Sequence, residues 1–119
     1  MSERADKDFL YDIREAMHRI KAYTDAMTYD HFLADLKSQD AVIRNLETIG
    51  EATKYLTTRL REKYPDIPWK GMAGVRDRLI HHYFGVNLDI VWDIVTVELP
   101  ALESKIESML RQEHSDDSY

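Results

Sequence analysis

The chain has 119 residues, 44% apolar and 32% charged, with no cysteine and a formal net charge of −6. That length suits one domain able to bury roughly two-thirds of its unfolded surface, so neither disulfide nor structural metal is needed for folding. The composition excludes disorder, thiol chemistry and thiolate metal sites, and no apolar run is long enough to span a membrane. Glycine and proline number only 4 and 3, about half of average usage, which argues against a turn-rich sandwich or barrel. Five of the seven (Pro65, Pro68, Gly71, Gly74, Gly85) crowd into one window, the place to look for chemistry. Met1-Ser2-Glu3-Arg4 carries no apolar signal region, so a cytoplasmic location is expected.

In chain order, Phe9, Ile13, Ala16, Ile20, Tyr23 and Met27 recur at steps of four and three and predict a first helix over 7–27. A short element over 30–37 carries Phe32, Leu33 and Leu36, with Thr28 or Asp30 as its cap. Ser38 or Asp40 then opens a third helix with the seam Val42, Leu46, Ile49, Thr53, Leu56 and Leu60, stopping before Pro65. Pro68 suits the first turn of a fourth helix and Gly85 its C′ position. The last helix starts near Asn87 or Asp89 and continues, kinked, past Pro100. Its seam is Leu88, Trp92, Val95, Leu99, Leu102, Ile106 and Met109, and a second apolar row (Ile90, Ile94, Val97, Ala101) predicts burial on two sides. The expected architecture is all-α: a single antiparallel bundle of four to five helices over 1–112, with a polar tail over 113–119.

Charge is unevenly spread. Residues 54–82 carry seven Lys/Arg against three Asp/Glu, net +4, while the rest of the chain is net −10. Such a segment could focus an anionic substrate, although basic helix ends give the same count. One Glu-x-x-His pair, Glu15 and His18, is present, but a carboxylate-bridged di-iron bundle needs two, and His18 falls on the polar side. No metal or cofactor is implied. On a continuous helix Arg76 shares a face with Met72, Leu79, Ile80 and Tyr83, so it needs a partner, with Glu47 and Glu51 as candidates. His81 lies about 140° around from it, beside Gly74, Asp77 and Arg78. Histidine exchanges protons near neutral pH, and arginine offers fixed charge and a fork of donors for phosphate oxygens. Together they suit metal-free phosphodiester chemistry. A pair of such helices across a two-fold axis would bring two histidines to one cleft.

Arg76-x4-His81-x-Tyr83 is similar to the Arg-x4-6-His-x-Tyr signature of HEPN-domain ribonucleases. Residues 41–52 (AVIRNLETIGEA), Ile67-Pro68-Trp69, and the stretch from Tyr83-Phe84-Gly85-Val86 to Ile90-Val91-Trp92 resemble the HepT-like branch of that family. The resemblance covers roughly residues 5–110. It implies a homodimeric, metal-independent endoribonuclease toxin of a bacterial or archaeal HEPN/MNT toxin–antitoxin pair. Arg76 and His81 would be its catalytic pair, and Asp77 takes the polar position that often follows the motif arginine. The RNA substrate would be of a class such as tRNA or mRNA. The implied antitoxin is a minimal nucleotidyltransferase that transfers AMP from ATP to Tyr83, or else inhibits by forming a complex. Arg78, His82 and Glu51 are further candidates, His82 at a variable position and Glu51 in the matched helix. The competing expectation is a non-catalytic HEPN interaction module in which Arg76 and His81 are structural.

Overall fold

The computed structural model describes residues 5–80 and 85–116. Helix α1 (Asp6–Thr24) ends three residues earlier than its seam suggests, because Ala26 takes a left-handed conformation (φ 62°) and turns the chain. Thr28 caps α2 (Tyr29–Ala34) by accepting from the His31 amide at 3.1 Å. The third helix, α3 (Leu36–Lys54), begins earlier than expected because Asp35 is its cap, accepting from the Ser38 amide and hydroxyl. The buried amide of Gln39 donates to the Phe32 and Leu33 carbonyls and so closes the end of α2.

The long seam from Val42 to Leu60 is not one helix. It breaks at residues 55–57, and a new helix α4 (Thr58–Lys63) starts under the Thr57 cap. The break is fixed from a distance: Asp6 accepts from both the amide and the hydroxyl of Thr57, at 2.9 and 2.6 Å. These bonds, with Phe9 stacked on Tyr55 at 5.2 Å, set the start of α1 against the end of α3, so the two run antiparallel.

The expected helix from Pro68 to Gly85 is likewise two short ones, α5 (Trp69–Ala73) and α6 (Val75–Leu79), which meet at Gly74. Gly85, expected to follow a helix end, has φ +80° but lies six residues beyond the end of α6. Asn87 caps α7 (Leu88–Asp93), which runs without a break through a π segment (Ile94–Glu98) into α8 (Leu99–Asp116). The π turn explains how the rod passes Pro100. The Leu99 amide donates to the Ile94 carbonyl, five residues back, and this widened turn makes room for a ring that would clash in a regular helix. Glu113, placed in the expected tail, is still helical and accepts from Lys63 and Tyr64 at 2.7 and 2.6 Å.

The core lies between α1, α3 and the α7–α8 rod, with Ile13, Phe32, Val42, Leu60, Val91 and Ile106 fully buried. Each such side chain contributes on the order of 1.5–3 kcal/mol through burial. The described residues are all-α, with one isolated antiparallel bridge between Ile80 and Val86.

Candidate functional site

The motif's first residues sit on α6. Val75 and Leu79 face the core, while Arg76, Asp77 and Arg78 are exposed. What presses α6 against the bundle is Gly50. A Cβ there would come within 3.1 Å of Val75 Cγ1 and 3.2 Å of the Met72 carbonyl, so only glycine lets the α5–α6 junction approach α3 this closely. Gly71 has open space where a Cβ would stand, and at Gly74 a Cβ would lie 3.4 Å from the Lys70 carbonyl. The close approach in this region falls on a glycine outside the cluster.

Arg76 does not lie in the core stripe. The backbone turn at Gly74 (φ −95°, ψ 14°) rotates α6 relative to a continuous helix, and the Arg76 side chain is 69% exposed. Of its two candidate partners it meets Glu47, with Nε 3.9 Å from Oε2, while Glu51 pairs with Lys54 at 3.1 Å. A contact that long and that solvated restrains the guanidinium weakly. Arg78 behaves differently. It donates two parallel hydrogen bonds to Glu98 at 2.8 and 2.7 Å, tying α6 to the π segment. These bonds hold the Glu98 carboxyl below its usual range and raise Arg78 above its own.

The helix stops at Leu79. Ile80 is extended (φ −88°, ψ 125°) and pairs with Val86, and the Asn87 amide donates to the Leu79 carbonyl at 2.8 Å. The helix that carries Arg76 therefore ends before His81. His81, His82 and Tyr83 lie outside the described residues, but the residues flanking them are clipped together at the exit of α6.

Most of the basic segment's cations are paired, and Arg59 lines a separate cleft. Lys54, Lys63, Arg76 and Arg78 are each matched to a glutamate, and Arg61 donates to the Leu56 carbonyl at 2.8 Å. The second apolar row of the last helix divides. Ile94 is buried, and Val97 is 62% exposed. Ala101 is exposed at an apolar recess of about 290 Å³ between α3, α5–α6 and the π segment, beside the Arg78–Glu98 pair. His18 stays at the surface, 3.4 Å from Glu107. Three features escaped the sequence reading: Gly50 as the contact point, Glu98 as Arg78's partner, and a basic cleft between α1, α4 and α8. Gly50's place next to the α3 seam was the one visible signal.

A family model described as Ribonuclease HepT-like matches residues 13–109. A "putative RNase" of Methanocaldococcus jannaschii is 50% identical over 117 residues, 98% of this chain and 97% of its own length. A "probable ribonuclease HepT" of Thermococcus cleftensis is 44% identical over 107 residues, 90% of this chain and 97% of its own. No solved structure matches. A family model over most of the chain and relatives this similar along nearly its whole length show that the chain belongs to the HepT-like ribonuclease family.

Proposed function

We propose that this protein is a metal-independent endoribonuclease toxin, acting as a homodimer whose cleft holds Arg76 and His81 from each copy. The observation that carries the reading is the contrast on α6. Arg78 is locked to Glu98, whereas Arg76 projects into solvent with only a loose contact to Glu47. A guanidinium so placed can move onto a phosphate without breaking a strong pair.

In this mechanism His81 takes the proton of a ribose 2′-hydroxyl as that oxygen bonds to phosphorus. Arg76 stabilises the charge that grows on the phosphoryl oxygens, and the P–O5′ bond breaks. The departing 5′-oxygen takes a proton from the second copy's histidine, leaving a 2′,3′-cyclic phosphate. Exposed Ile80, Val86 and Val97 favour a second copy beside the motif. Asp77 is exposed next to Arg76 on the same helix.

Regulation by a nucleotidyltransferase antitoxin belongs to the same proposal. AMP groups on Tyr83 would set bulky anionic phosphates at the cleft and repel RNA. Expression without a partner should arrest bacterial growth, and Arg76→Ala or His81→Ala should relieve the arrest. Full toxicity in both variants, or cleavage abolished by EDTA, would overturn the assignment. Intact mass after co-expression with the antitoxin should show added AMP that Tyr83→Phe lacks.

A further inference from the structure

Away from α6, a cleft of about 810 Å³ opens between the start of α1, α4 and the last turns of α8. Four fixed cations line it: Lys7, Arg14, Arg59 and Arg111. In a chain of net charge −6 that is an unusual concentration. Two of its three carboxylates are engaged elsewhere, and the third, Glu107, has its Oε1 buried without a hydrogen bond. Asp6 accepts from Thr57, Glu113 accepts from Lys63 and Tyr64, and Glu107 lies 3.4 Å from His18. Among the described residues, none of the four cations has a carboxylate partner. Arg14 only covers the Tyr11 ring, at 5.4 Å, and its Nε is buried without a hydrogen bond.

Four cations without a carboxylate partner, one with an unsatisfied guanidinium nitrogen, outnumber the single spare carboxylate oxygen in the cleft and leave it short of acceptors. The acceptor these groups fit is an anion with several spaced oxygens, because the four cations are spread over three helices around a cleft of about 810 Å³. Leu10 and Leu110 add an apolar floor among the charges, suited to the less polar faces of a nucleotide. We propose that this cleft is an RNA-backbone exosite, holding phosphodiester groups of the substrate at a distance from the motif helix. That RNA is the polyanion concerned rests on the nuclease reading above; the anion site itself does not.

The test measures fluorescence anisotropy of a fluorescein-labelled oligouridylate against the full chain carrying Arg76→Ala, so that the probe stays intact. Adding Arg14→Ala, Arg59→Ala and Arg111→Ala should weaken binding at least about tenfold. It should also flatten the dependence of log K on log salt by about two, near 0.7 for each single-strand phosphate no longer neutralised. Replacing the same three residues by lysine should restore most of the affinity, since charge is kept. Unchanged binding in the alanine variant, or loss in a lysine variant that melts like the parent, would overturn the exosite. So would competition by inorganic phosphate as effective as by unlabelled oligouridylate, which marks a site for small anions. Binding without cleavage by the wild-type chain would sink the nuclease reading and leave the exosite standing.

Discussion

The outer face of α6 and the α1–α4–α8 cleft are both rich in cations, and they use them in opposite ways. On α6 the arginines belong to the most basic stretch of the chain, yet Arg78 is neutralised by Glu98 and Arg76 keeps only a loose contact with Glu47. In the cleft the cations come from three separated helices, with only Arg59 from that basic stretch, and among the described residues none has a carboxylate partner. Density of charge along a sequence therefore says little about charge density in space. A basic run invites acids from neighbouring elements, and the cations without a partner gather where two of the nearby acids are bonded to other groups.

The sharpest way to break this contrast is to remove the two α6 arginines separately. Arg76→Ala should lower the cleavage rate by about 10²–10³-fold, the usual cost of losing a donor to developing oxyanion charge. Arg78→Ala should lower it less than about tenfold, because its donors are committed to Glu98. Equal losses measured in a single-turnover assay would erase the distinction between a free and a tied arginine.

A smaller effect tests what holds α6 in place. Gly50→Ala sets a Cβ 3.1 Å from Val75 Cγ1 and 3.2 Å from a carbonyl that cannot rotate away. Overpacking of about 1–3 kcal/mol outweighs a helix-propensity gain of about 1 kcal/mol, so thermal unfolding should shift down. Gly71→Ala, with nothing within 4 Å, should shift it up by as much as about 1 kcal/mol. The same sign for both would mean that close approach does not seat α6.

The smallest effect belongs to the Arg78–Glu98 pair, whose side chains are 45% and 41% exposed. After solvent screening, Glu98→Gln should cost no more than about 1 kcal/mol in denaturant unfolding. The carboxyl is held below its usual value in the folded chain. Its stabilisation is therefore present above that usual value and fades as pH falls through the depressed one. Arg78 is shifted upward, so its share persists through all neutral pH. An acid-limb difference between wild type and Glu98→Gln that grew with rising acidity would contradict this.

Much of the fold was legible because helical periodicity is a local property. The α1 seam, the Thr28 and Asn87 caps and the passage through Pro100 all follow from neighbouring residues. The breaks were not legible. Leu56 and Leu60 continue the α3 seam in perfect phase, and only the Asp6 bonds to Thr57, made across 51 positions, show why the helix stops at Lys54. The Pro68–Gly85 stretch reads as one helix until Gly50 and the Ile80–Val86 bridge divide it from outside.

The sequence by itself determined the all-α class, the absence of thiol chemistry and the motif that pointed to the family, since composition, period and residue type are carried by the chain alone. Tertiary structure decided which arginine is free, which glycine admits a close contact and where unpaired positive charge collects. Each of those depends on a partner far away in sequence, and pairing across such distances is set by packing rather than by local pattern.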